Sequence, residues 1–254
     1  PLEILISLCN YTGKDMWFNI PHLADDDYIT QTALMIKEKL RPDLKIYIEY
    51  SNEVWGNLFP GGIYAESEGI RLNLAGNQGA VQARFCYLAK RTKEISIIFK
   101  EIIKDNRLKI VLSTQSVNPD TTNRILGCQE AYKYVDGLAV APYFGVELSD
   151  TSTKDMVLDL KNGTLLAALD KIKNTMIEHK NIINSYNLKD TGYNIEFFTY
   201  ESGQGFEGKN TKQTDIQISF QTDIRMKNHY INYLNILKTS GITKIMLFSN
   251  VGLW

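Results

Sequence analysis

The chain has 254 residues, 44% of them hydrophobic and 22% charged, with a formal net charge of −1. That length fits one large α/β domain with a real core, and the near-neutral charge removes the electrostatic basis for binding nucleic acid. No stretch approaches the roughly 18 consecutive apolar residues of a membrane span. Cys9, Cys86 and Cys128 suit neither a disulfide framework nor a CxxC-type metal site; they are expected as buried small hydrophobes or with one pair bridged.

Leu2, Leu5, Leu8 and Cys9 follow helical spacing up to Gly13, a helix stop. A β-type run covers Asp15 to Ile20, and Asp25 reads as the N-cap of a helix over Asp26 to Leu40, with Asp26 and Asp27 in its first turn. A second run, Leu44 to Tyr50, gives way to a Gly- and Asn-rich loop from Gly56 to Gly79. Then come a helix over Ala80 to Lys104, a run at Lys109 to Leu112, a helix over Thr121 to Tyr134 and a run at Val135 to Tyr143. A polar loop from Gly145 to Gly163 leads into a helix over Leu165 to Ser185 and a run at Asn194 to Tyr200. A second polar loop, Ser202 to Gln221, precedes a helix over Met226 to Thr239 and a last run at Lys244 to Phe248.

Regular alternation of strand and helix predicts a parallel α/β fold. No GxGxxG or GxxxxGK[ST] follows a strand, so the phosphate cradle of a doubly wound nucleotide-binding sheet is missing and the barrel is preferred. No repeat or linker divides the chain, which is expected to form one domain over 1–254. The three long loops all follow strand ends, the face on which barrel enzymes build their clefts.

The sharpest chemical signal is Tyr50-Ser51-Asn52-Glu53 at the end of the second run. Ile46 and Ile48 share one parity, and Tyr47, Glu49, Ser51 and Glu53 the other. With the apolar face against helices, Glu53 is expected to point into the barrel mouth. Glu49, on the same parity, is expected as a buried structural acid paired to a base. The second signal is Glu201, where the fifth run meets a loop with Gly203 and Gly205; adjacent Phe197 and Phe198 leave its direction open. Two carboxyls at different strand ends suit glycosidic cleavage, one donating a proton to the leaving oxygen and the other attacking or stabilising the oxocarbenium-like centre.

These residues resemble the signatures of the clan A glycoside hydrolases, TIM barrels that act with retention. In that clan an Asn-Glu pair ends the fourth strand and the nucleophile ends the seventh; Glu53 and Glu201 show the same three-strand spacing. The runs Asp15-Met16-Trp17-Phe18-Asn19-Ile20-Pro21-His22, Asp25-Asp26-Asp27-Tyr28 and Val140-Ala141-Pro142-Tyr143-Phe144-Gly145 also resemble uncharacterised secreted bacterial proteins related to the clan. The resemblance implies an incomplete (β/α)₈ barrel, strands three to eight present and the first two upstream of Pro1. It implies retaining hydrolysis of a polysaccharide or oligosaccharide, with Glu53 as acid/base and Glu201 as nucleophile. Asn52 would bond the sugar hydroxyl beside the reacting carbon, and Tyr143 would hold the nucleophile ionised. An arginine that the clan supplies from its second strand would also fall before Pro1, and the clan's tryptophan at the end of strand eight has no counterpart in Phe248, Ser249 and Asn250.

Trp17 and Trp55 are candidate sugar platforms, since apolar C–H faces suit aromatic planes, against the plainer reading as packing. His22, Gln115 and Asn250 complete the expected substrate-binding set. His22, His179 and His229 are too scattered for a metal ligand set, no cofactor is expected, and no GxSxG supports a serine hydrolase. The sequence starts at Pro1 without a signal-peptide pattern and stops at Trp254 after a strand-like run, so both ends read as cuts in a longer chain. Polysaccharide cleavage favours a secreted or cell-surface protein. Six strands cannot close an eight-stranded barrel, so an open edge and poor stability or activity of the isolated chain are expected. The alternative function is a non-catalytic carbohydrate-binding or surface protein on the same scaffold; a barrel enzyme with an unrelated substrate ranks third.

Overall fold

A computed structural model describes residues 1–189 and 192–248. In chain order the elements are α1 (Leu2–Thr12), β1 (Met16–Ile20), α2 (Asp26–Lys39), β2 (Ile46–Tyr50), α3 (Pro60–Arg71), α4 (Ala80–Ile102), β3 (Leu108–Ser113), α5 (Pro119–Gly127), β4 (Gly137–Val140), α6 (Lys154–Leu158), α7 (Thr164–Lys189), β5 (Glu196–Thr199), α8 (Thr211–Phe220) and α9 (Ile224–Thr239). The strands form one parallel sheet in the order β1-β2-β3-β4-β5, the architecture that strand–helix alternation predicts. The chain groups into two units, the first of 1–115, 120–139 and 183–196, the second of 116–119, 140–182 and 197–254.

The first unit holds β1 to β3 and most of β4. Register is set by in-line pairing of Met16 with Ile46, Ile46 with Leu108, and Val111 with Gly137. Every residue of β2 is buried, because a parallel strand is covered on both faces. Ile20, Ile29, Ile36, Ile46, Ile48, Phe99 and Ile110 form the centre of the core, each fully buried side chain of this size contributing about 1.5–3 kcal/mol. Local signals place the helices around it. Gly13 adopts φ 66 and closes α1 through its amide on the Cys9 carbonyl. Asp25 accepts the Tyr28 amide at 2.8 Å, and Lys37 and Lys39 lie in the last turn of α2, where cations suit the helix dipole. Cys86 on α4 and Cys128 form a disulfide with Cα atoms 5.2 Å apart, while Cys9 stays free and buried. One pair is bridged, as the sequence allowed.

The second unit is built on aromatic packing. Phe144 meets Tyr230 edge-on and Tyr233 at a tilt, with centroids 4.9 and 4.6 Å away, and Phe206 stands against Phe220. Phe144, Phe197, Phe198, Phe220 and Tyr233 are all essentially buried. Among the described residues no helix is long and apolar enough to cross a membrane.

Three expectations need correction. The loop read over Gly56 to Gly79 contains α3, started by Pro60 at its first turn, a position where the missing N–H costs nothing. The loops Gly145 to Gly163 and Ser202 to Gln221 likewise contain α6 and α8. Among the described residues the run Lys244 to Phe248 forms no full strand: it meets the end of β5 through a bridge between Phe198 and Lys244 and through the Phe248 amide on the Ser202 carbonyl, and Leu247 and Phe248 are exposed.

Candidate active site

In the first unit the relevant residues gather where β1 and β2 end. The alternation of side chains runs only to Tyr50. Beyond it Ser51 and Glu53 adopt φ values of 57° and 51°, a left-handed backbone that non-glycine residues rarely take, so strand parity does not govern where Glu53 points. The turn is pinned from several sides. The Ser51 amide donates to the Ile20 carbonyl at 2.8 Å and the Gly56 amide to the Glu53 carbonyl at 2.9 Å. The Asn19 side-chain amide donates to the Ser51 carbonyl at 2.5 Å. Tyr50 donates to the His22 carbonyl at 2.9 Å, and burial holds its phenol well above its usual pKa. At the start of α3, a Cβ on Gly61 would lie 3.2 Å from Ser51 Oγ, and one on Gly62 would lie 1.6 Å from the Gly56 carbonyl oxygen. Glycine is required at 62 by that approach.

Within this frame Asn52 is exposed, Glu53 and Trp55 are half-buried, and Val54 is buried. Glu49 is buried as expected, and its Oε2 accepts the Trp17 indole N–H at 3.0 Å. Trp17 also stacks on Tyr47, its register partner, with centroids 5.5 Å apart. One face of the indole and its polar edge are therefore committed to the sheet. His22 is half-buried with its ring edge-on to Tyr64, and Gln115 is half-buried just past the end of β3. A hollow of about 400 Å³ lined by Lys100, Lys104, Lys109 and Asp136 lies at the opposite, N-terminal ends of β3 and β4, away from the strand ends that carry these residues.

In the second unit the structure brings together the other expected pair. Tyr143 donates its hydroxyl hydrogen to Glu201 Oε2 at 2.8 Å. Both residues leave parallel strands that pair through the Tyr200 amide and the Val140 carbonyl. The strand ends continue to interlock, with the Phe144 amide on the Gly203 carbonyl and the Gly205 amide on the Phe144 carbonyl at 2.9 and 2.8 Å. Two tyrosines of α9 that the sequence reading missed hold this arrangement. Tyr233 donates to the Pro142 carbonyl at 2.8 Å and accepts the Gly203 amide, while Tyr230 accepts the Gln204 amide. Ser202 donates to the Met246 carbonyl at 2.6 Å, and Phe248 stands edge-on to Tyr143. A groove of about 330 Å³ opens beside Tyr143, lined also by Gly145, Glu147, Gly205, Glu207 and Lys209, with Lys209 paired to Glu147.

The other two histidines are structural. His179 is buried with Nε2 2.9 Å from the Ser116 carbonyl, and burial pushes its pKa down to about 4. His229 is buried with Nε2 3.0 Å from the Leu158 carbonyl. Asn250 lies outside the described residues.

The sequence matches no protein-family model and no curated protein. Solved structures match by fold. The GH51 arabinofuranosidase from Xanthomonas axonopodis pv. citri aligns with a TM-score of 0.52 at 12% identity, over 96% of this chain and 48% of its own. Bacteroides uniformis beta-glucuronidase 2, solved covalently bound to cyclophellitol-6-carboxylate aziridine, aligns with a TM-score of 0.50 at 12% identity, over 96% of this chain and 24% of its own. The chain thus spans about half of the first and a quarter of the second. These neighbours are TIM-barrel glycoside hydrolases of clan A, so the resemblance read from Asn52-Glu53 and Glu201 is met at the level of fold.

Proposed function

We propose that the chain forms strands three to eight of a (β/α)₈ barrel as one domain, and that it hydrolyses β-linked or related polysaccharides or oligosaccharides with retention. Glu201 attacks the anomeric carbon while Glu53 protonates the departing glycosidic oxygen. Glu53 then takes a proton from water, which displaces Glu201 and releases the sugar. The observation that carries this reading is the 2.8 Å bond from Tyr143 to Glu201 Oε2, since a donor fixed on one oxygen orients the carboxylate for attack through the other. It also leaves Oε1 as the attacking oxygen. Asn52, exposed beside Glu53, is assigned to the hydroxyl next to the reacting carbon, and Trp17, His22, Trp55 and Gln115 to the substrate walls. Supporting export to an oxidising, extracellular setting is the Cys86–Cys128 disulfide.

The test is turnover of 2,4-dinitrophenyl glycosides and matched disaccharides by the wild type, E53Q and E201Q. Within a complete barrel the wild type is expected to turn over at least one of these sugars with retention, read by NMR of the first-formed anomer. E201Q should lose about 10³-fold or more, and E53Q should lose activity chiefly on the disaccharide. A crystal structure should place the two carboxyls about 5 to 5.5 Å apart. Binding without turnover would instead assign the chain to non-catalytic carbohydrate recognition.

A further inference from the structure

The left-handed turn at the end of β2 is made without glycine, by Ser51 and Glu53 on either side of Asn52. Such a backbone persists only when its surroundings over-determine it, and here both main-chain polar groups of Ser51 are held by consecutive residues of β1. Its amide is bound by the Ile20 carbonyl. Its carbonyl is bound by the side chain of Asn19, at 2.5 Å. The first tie is a sheet bond that any sequence would make; the second depends on the identity of residue 19. Asn19 is exposed, stands in register with Glu49 and contributes nothing to the core. Its neighbours on β1 are Phe18 and the buried Ile20, so an exposed amide there is placed for its bond rather than for packing.

We infer that Asn19 is a positioning residue for Glu53. By fixing the Ser51 carbonyl it holds the turn left-handed, and the turn sets where the Glu53 carboxyl meets the departing oxygen. The inference rests on the reading of Glu53 as acid/base, and it names a residue that need not touch the substrate. The donor is the essential feature: in N19D the shape is kept, but a carboxylate faces the Ser51 carbonyl and has no proton to give. N19S retains a shorter donor.

Two measurements on the full chain separate the layers of this claim. Hydrogen exchange tests the anchoring with no reference to activity. In N19D the amides of Ser51 and Gly56 should exchange roughly 10-fold faster, the ratio expected for one lost hydrogen bond, while those of Ile48 and Glu49 in β2 keep wild-type rates. Unchanged exchange at Ser51 overturns the inference. The kinetic test compares kcat/KM for a 2,4-dinitrophenyl glycoside, whose leaving group needs no proton, with that for the methyl glycoside of the same sugar, whose leaving group does. N19D should lose roughly 10-fold on the methyl glycoside with KM unchanged and keep its rate on the activated substrate, and N19S should recover part of the loss. Equal losses on both substrates mark a general scaffold role and overturn the inference. A wild type that cleaves neither substrate, with exchange at Ser51 still raised in N19D, sinks the glycosidase reading and the acid-positioning role while leaving the anchoring intact.

Discussion

Breaking the Cys86–Cys128 bond offers the most direct test of the first unit. The bridge closes a loop of 42 residues in sequence separation and ties α4 to the 3₁₀ segment after α5. On the chain-entropy account, releasing a loop of that length frees the unfolded state by on the order of 4 kcal/mol at 25 °C. For a protein of this size that corresponds to a fall in Tm of about 8–16 °C. The assay is urea and thermal unfolding with and without reductant, with C86A/C128A as the control that should not respond to it. Thiol titration of the denatured chain should find one reactive group without reductant and three with it, since Cys9 is the third cysteine and is free. Equal midpoints in both redox states, or three thiols in the unreduced chain, would refute the reasoning.

On the proposed mechanism Y143F removes the bond that orients Glu201, a loss of roughly 1.5–3 kcal/mol, so kcat should fall roughly 10- to 100-fold. A loss of stability without a loss of kcat would make the bond structural. His179 predicts a pH dependence. Its folded pKa is pushed down from 6.5 to about 4 by burial, so between those values the unfolded chain takes up a proton that the native chain refuses. The stability tied to neutral His179 is complete above about pH 6.5 and is lost as pH falls toward 4, by on the order of 3 kcal/mol. Urea midpoints across that window should therefore fall less steeply in H179Q than in wild type. In G62A the new Cβ would sit 1.6 Å from the Gly56 carbonyl oxygen, so α3 must shift; urea unfolding should show a loss of about 1–3 kcal/mol or more.

Much of the fold is legible in the sequence because hydrophobic runs and capping residues act locally. Asp25 and Gly13 bound their helices as their chemistry predicts, and the five strands fall within the expected runs to within a few residues. What is missed depends on distant contacts. Gly61, Gly62 and Gly69 make α3 read as a loop, yet Gly62 and Gly69 are there because the backbones of Gly56 and Ala83 approach too closely for a side chain. The fourth run shortens to β4 because the chain departs from ladder pairing at Ala141 and Pro142, the latter lacking an N–H. In the candidate site, Glu201 and Tyr143 are found by position at strand ends, and a hydrogen bond joins them. The parity argument for Glu53 breaks at Ser51, since nothing in the letters announces a left-handed serine. Asn19, Tyr230 and Tyr233 are invisible from the motif because they act on backbone atoms. His229 and Tyr233, four residues apart on α9 and both buried, carry polar tips inward.

The interleaving of the two units has a consequence for synthesis. The first unit is completed by 183–196, whose Tyr186 bonds Asn123 and whose Glu196 pairs with Lys109. A nascent chain must therefore wait until residue 196 has left the ribosome before that unit can close, with β1 to β3 already translated. During that interval the apolar face of an unfinished sheet is on offer to chaperones and to other nascent chains. Slower translation of 140–182, which belongs wholly to the other unit, lengthens that interval.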